Sequence, residues 1–241
     1  MKKIFSLLML VACSVCMNAQ VVKMYVWKNG SYTVCSVDSI TFVVSDAASN
    51  YKAVDLGLPS GTLWADRNVG ADAPEAYGDY FAWGEVTPKT EYNWSTYKWC
   101  NGSSTSMTKY CTDSSYGTVD GKTVLDLEDD AAYVNMGSAW RMPTHEEMQE
   151  LLNNCTRTWT TQNGVNGYKV TGPNGNRIFL PAAGCRYNSD LKLDGSVGTY
   201  WSSSLYESYS DGAYILDFDS DDYLWNCLYR FFGQSVRAVV R

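Results

Sequence analysis

The sequence predicts an α+β fold: short antiparallel strands, few short helices and long loops, preceded by a small N-terminal β unit. Three observations carry this reading. Short runs rich in β-branched and aromatic residues recur between clusters of Gly, Asn, Asp and Ser. One segment, 144–155, shows a capped helical stripe. Apolar residues make up 45% of the 241 residues, enough for one sizeable core, and no repeat of about 20–50 residues points to a solenoid or propeller.

Taken in order, residues 1–19 read as a secretory signal peptide. Lys2 and Lys3 form a basic start, 4–16 an apolar run too short to span a bilayer, and Ala19 a cleavage position before Gln20. "LVAC" at 10–13 also resembles a lipobox, which makes Cys13 the candidate lipidation site. Both readings export the chain, secreted or held at the outer surface or in the periplasm, with or without a lipid anchor. Residues 20–46 form the β unit: "VVKMYVW" and "YTVCSV" flank Asn29-Gly30, a dipeptide suited to a type I′ hairpin turn, and "SITFVV" at 39–44 supplies a third strand. Residues 47–51 are a linker and 52–241 the main domain.

Within that domain a short helix is expected at 128–135, with Asp129 and Asp130 in its first turn near the positive end of the dipole. Thr144 and Glu147 form a capping box for the helix at 144–155, and Met148, Leu151, Leu152 and Cys155 fall on one buried stripe. Strands follow at "RTWTT", "YKVT" and "RIFLP", with breaks at Asn163-Gly164, Asn166-Gly167 and Asn174-Gly175. "YILDFD" alternates, and "SVRAVV" at 235–240 is the final strand.

The chemistry is bounded first by what is scarce. A net charge of −7, with no basic stripe, argues against nucleic-acid partners. The single histidine, His145, rules out multi-histidine metal sites, and its place in the first turn of a helix reads as solvent-facing. The acidic run 217–222 suggests a structural calcium, but EF-hand spacing would want Gly at Asp222 and Glu at Leu228, so no cofactor is expected. Among the cysteines beyond residue 19, Cys100 and Cys111 bracket a Ser/Thr-rich loop and are the candidate disulfide; no C-x-x-C pair suggests zinc or redox chemistry. Tyr and Trp are the abundant term, 18 and 9 against 7 Phe. They concentrate in 200–229 among Ser, Asp and Asn, the composition of binding loops. Tyr200, Trp201 and Phe218 are assigned to the core.

Six motifs in order, "VDLGLPSGTLWADRNVGA" (54–71), "YGDYFAWGE" (77–85), "WRMPTHEEMQEL" (140–151), "IFLPAAG" (178–184), "YWSSS" (200–204) and "GQSVRAV" (233–239), resemble the Fibrobacter succinogenes major paralogous domain of exported Bacteroidetes proteins. The resemblance covers 52–241. It implies a C-type-lectin-like fold, related to formylglycine-generating enzymes, in which Arg141, Thr144 and Glu147 are scaffold. The copper-binding cysteine pair of the oxidase branch is not matched by the surroundings of Cys185 and Cys227. The chain departs from the family pattern at Met136, Met148 and Cys185. Such folds serve as ligand platforms, some with a diversified C-terminal segment.

The expected function is therefore non-enzymatic binding of a glycan or protein ligand at the cell surface. Tyr206, Tyr209, Tyr223, Trp225 and Tyr229 would supply stacking area, and Asp211, Asp219, Asp222 and Asn226 hydrogen bonds. The alternatives are a polysaccharide-active enzyme with paired carboxylates and a structural surface-assembly module.

Overall fold

Asn29-Gly30 separates two β-rich runs, and the strands beside it meet in the register a two-residue loop requires. In this computed structural model β1 (Val22–Lys28) and β2 (Ser31–Val37) pair antiparallel, with Lys28 opposite Ser31. The structure describes these two strands and residues 51–241, Trp225 by its backbone alone. The expected signal peptide, Cys13 and the third strand at 39–44 lie outside the described residues. The chain divides into two units, Met1–Ala47 and Ala48–Arg241, and the second carries all remaining elements.

That second unit is α+β, with two short α-helices among many short antiparallel strands. One sheet has the order β3 (Ala53–Asp55), β4 (Leu63–Ala65), β14 (Val239–Val240), β5 (Trp140–Arg141). It gathers the beginning, middle and end of the unit. The expected final strand at 235–240 is shorter than its sequence suggests, because Gln234 and Ser235 make single bridges to Phe81 and Tyr200 instead. Arg237 then turns fully inward and donates to Asn68 Oδ1, Ala65 O and Phe179 O.

A second sheet is the meander β6 (Thr156–Gln162), β7 (Val165–Thr171), β8 (Arg177–Pro181). Asn163 and Gly164 both have positive φ, 48° and 86°, the pair a type I′ hairpin needs. Asn166-Gly167, expected as a break, lies inside β7. The glycine is required there because a Cβ would collide with the Leu180 carbonyl of the neighbouring strand.

Helix α2 (His145–Asn154) is built as its sequence predicts. Thr144 Oγ1 accepts from Glu147 N, Glu147 Oε2 accepts from Thr144 N, and Met148, Leu151, Leu152 and the C-cap Cys155 are buried. Arg141 closes the cap by donating from Nη1 and Nη2 to the two Glu147 oxygens, at 2.6 and 2.5 Å. Helix α1 (Ala131–Met136) begins later than expected. Asp130 is its N-cap, accepting from Ala132 N and Tyr133 N, and a 3-10 turn at Leu127–Asp129 precedes it. Asp129 is not a dipole partner; it is a buried acceptor for Lys98, Lys109 and Tyr110.

The third sheet, β11 (Gly198–Leu205), β12 (Gly212–Phe218) and β13 (Tyr223–Tyr229), organises the interior. Every residue of β11 is buried. Trp201 and Ile215 face a core with Phe81, Trp83, Trp140 and Val236, while Tyr200, Leu216 and Phe218 face another with Trp64, Leu151, Ile178 and Val239. The β11–β12 ribbon is thus a partition between two cores. A third cluster, with Tyr80, Tyr92, Tyr97, Met107 and Phe231, fills the space under the long loops. A small hairpin, β9 (Cys185–Tyr187) with β10 (Asp190–Lys192), completes the unit. No helix among the described residues is long and apolar enough to cross a membrane.

The expected Cys100–Cys111 bridge is not formed. Both are free thiols: Cys111 is fully buried and donates to Asp113 O at 3.1 Å, while Cys100 is turned to Trp94 O at 3.2 Å. His145 also differs from expectation. Its ring stacks on Tyr214 at 3.9 Å and 15°, half-buried, and that burial lowers its pKa against the opposing pull of Glu146.

Candidate ligand-binding site

The site begins with a buried arginine. Arg230 follows the last residue of β13 and is fully buried. It donates from Nε to Tyr97 Oη, from Nη1 to Tyr110 O and Ser210 O, and from Nη2 to Lys109 O, all within 2.8–3.0 Å. Its guanidinium also lies 4.9 Å from the Trp83 ring centroid. A planar fork can tie several carbonyls at once, and here it ties the 109–110 loop to the 210 loop. Two more bonds hold these loops together: Thr112 N donates to Ser210 Oγ at 3.0 Å, and Thr112 Oγ1 to Glu207 O at 3.2 Å. Arg230 N donates to Asp211 O, fixing the strand end beside them.

This latch aligns Tyr116 from one loop, Tyr209 and Asp211 from the other, and Tyr229 from β13. With Gly212, Cys227 and Leu228 they line an open cavity of about 440 Å³. Tyr116 meets Tyr209 edge-on at 6.5 Å, and Tyr209 stacks on Tyr206 at 5.7 Å. Tyr209 and Tyr229 are 54% and 51% exposed, so each keeps part of its ring open although Tyr206 stacks on one and Phe231 on the other. Tyr229 is also a wall of an adjoining, more apolar cleft of about 510 Å³, lined further by Asn93, Trp94, Tyr187, Phe231 and Phe232. The two hollows share Tyr229 as a lining residue.

Burial raises the Asp211 carboxyl above its ordinary value, while its own backbone N–H and the Arg230 charge pull the other way. Desolvation, followed by the charge of Asp211 and the neighbouring phenols and Asp113, raises the Tyr116 hydroxyl. Burial, with Asp211 added, raises the Cys227 thiol. A nucleophilic cysteine needs the opposite shift. The lining contains one carboxylate, short of the pair a glycosidase uses.

The expected site residues divide along the β12–β13 hairpin. Tyr209, Asp211 and Tyr229 line the cavity, with Tyr206 behind Tyr209. Asp219, Asp222 and Tyr223 belong elsewhere. Tyr229 pairs with Gly212 at one end of the hairpin and Tyr223 with Phe218 at the other, about 20 Å away at strand rise. There Asp219 Oδ1 accepts from Asp221 N and Asp222 N, Asp222 Oδ1 accepts from Tyr223 N, and the Tyr223 ring lies 4.2 Å from the Arg157 guanidinium. These acids close a turn. Among the described residues no three His, Cys, Asp or Glu side chains converge to hold a metal ion. Asn226 is exposed in mid-strand, its Oδ1 taken by Cys227 N; Trp225 pairs through its backbone with Leu216.

Sequence reasoning missed Tyr116, Arg230 and the cleft residues Trp94, Tyr187, Phe231 and Phe232. "YRFF" at 229–232 did hold a signal, a charge inside an aromatic run at a strand end. Tyr116, alone in a polar loop, held none. Comparison with protein-family models, with curated proteins and with solved structures gave no match to this chain.

Proposed function

We propose that the chain is an exported, surface-associated, non-enzymatic protein, whose residues 52–241 are a C-type-lectin-like domain of the Fibrobacter succinogenes major paralogous type. Its ligand is a glycan or a protein. The ordered motifs support the family, and so do the scaffold roles of Arg141, Thr144, Glu147 and Arg237. One observation carries the binding role: exposed Tyr209 and Tyr229 line a cavity together with the buried carboxylate of Asp211, and Tyr229 also lines an apolar cleft. Flat rings supply contact area at low entropy cost, and polar groups fix orientation.

The test is a glycan array and a surface-protein pull-down with the chain and with Tyr209→Ala/Tyr229→Ala. Anchor rings of this kind are worth about 2 kcal/mol each, or roughly 30-fold. The double variant should therefore lose captured partners by well over tenfold while its thermal midpoint stays near that of the unaltered chain, since both rings are exposed. Partners held equally by both proteins would place the site elsewhere.

A further inference from the structure

The cavity has a charge signature as well as rings. Three phenols, Tyr116, Tyr209 and Tyr229, bound it, and its one charged lining group is Asp211, with no Lys, Arg or His among the lining residues. Asp211 is only 9% exposed. Its own backbone N–H and the Arg230 charge favour its ionised form, against the burial that opposes it. The cation whose charge acts on it, Arg230, directs its guanidinium N–H groups to Tyr97 Oη and the carbonyls of Tyr110, Ser210 and Lys109. The other acid acting on this site, Asp113, adds negative potential at Tyr116.

A carboxylate drawn partly out of water, with no Lys, Arg or His beside it in the cavity wall, gains from a cation brought against it. Phenol faces carry negative quadrupoles and attract cations. An anion would be repelled by Asp211, and a neutral group would gain nothing from its charge. We propose that the Tyr116–Tyr209–Tyr229 cavity binds an alkylammonium group, with its charge against Asp211 and its methyl or methylene surface against the rings. This deepens the ligand-binding reading above and rests on it. The raised Asp211 pKa is consistent with a site whose charge is completed by its ligand, and binding would strengthen as Asp211 ionises.

Three sources present this chemistry: a choline-type headgroup, a lysine side chain and an amino sugar. Choline, Nα-acetyl-lysine amide and glucosamine are titrated into the full chain at low salt, with binding followed by tyrosine fluorescence and NMR shifts. Each is paired with a neutral counterpart: 3,3-dimethylbutanol, Nα-acetyl-norleucine amide and glucose. At least one cation should bind tenfold or more tightly than its counterpart, which identifies the source. Asp211→Asn should erase that preference and leave the neutral compound's affinity unchanged. Tyr209→Leu, which keeps the carboxylate and removes an exposed ring, should weaken cation binding several-fold in a protein that still folds. Equal binding of charged and neutral members, or a preference that survives Asp211→Asn, overturns the inference. If captured partners depend on Tyr209 and Tyr229 but no ammonium compound binds or competes, the cation assignment fails and the binding role stands. If ammonium compounds bind through Asp211 while partners ignore both tyrosines, the partner reading fails instead.

Discussion

Arg230 sets more of the site than any ring that touches the cavity. Its four acceptors come from three segments, and no carboxylate is among them. Replacing it with Met keeps much of the packing but leaves the carbonyls of Tyr110, Ser210 and Lys109 buried or part-buried without that donor, at about 1–3 kcal/mol apiece. Arg230→Met should therefore lower unfolding free energy by at least about 3 kcal/mol. Arg230→Lys, a point charge in place of a fork, should recover only part of it. Urea unfolding measures the loss. Hydrogen exchange should show protection falling first in 109–116 and 206–211, and uniform protection in both variants would mean the latch is not what orders these loops. The sequence marks the position, a charge inside the aromatic run at 229–232, but not what the arginine holds. Its burial depends on acceptors more than a hundred residues away. Tyr209, Asp211 and Tyr229 were found by composition, but composition could not separate them from Asp219, Asp222 and Tyr223, because distance along a hairpin is not a compositional property.

At the scale of elements, local signals were read most faithfully. Helix α2 follows from a cap and a stripe that lie within twelve residues. The β6–β7 hairpin follows from one dipeptide. Helix α1 was displaced because the same two aspartates serve different masters: Asp130 caps, and Asp129 is claimed by two lysines and a tyrosine brought from 98–110. The α2 cap also gives a pH dependence. Burial pushes Glu147 up, but the Arg141 hydrogen bonds and charge and the Thr144 N–H outweigh it, so the folded pKa is lowered. A carboxyl with a lowered folded pKa contributes stability above its unfolded value, near 4.3, and loses it as pH falls through the folded value. Glu147→Gln should then cost about 1–3 kcal/mol near neutral pH, the range for hydrogen bonds to charged groups. The difference from the unaltered chain should shrink toward acid, where the native carboxylate is itself protonated. Denaturant midpoints at about pH 7 and about pH 3 decide it; a gap as wide in acid as at neutrality would mean that charge is not what Glu147 contributes.

For the Ala48–Arg241 unit as a whole, the β11–β12 ribbon is the feature that alternation in the sequence hid. "YILDFD" reads as a strand with one wet face, because acids alternate with apolar residues at its end. In the structure Ile215 enters one core and Leu216 the other, both nearly fully buried, and Asp217 is half-buried as well. Two-sided burial could not be seen locally, since the second core is assembled from β4, α2, β7 and β8. The consequence is mechanical. A partition shared by two cores cannot lose one and keep the other, since each core supplies half of what holds the ribbon. The unit should thus unfold in a single transition although it exceeds the size, about 150 residues, at which two-state behaviour is routine. Ile215→Ala and Leu216→Ala, adjacent in sequence and opposite in facing, should each cost about 2–5 kcal/mol. Each should shift the same transition, with near-UV and far-UV signals remaining coincident. The aromatic cavity sits at the Gly212–Tyr229 end of this ribbon, so either substitution should reach the ligand through global stability alone, leaving affinity measured well below the midpoint unchanged. Two separated transitions, or a midpoint shift confined to one probe, would show that the cores are independent and the ribbon only a neighbour to both.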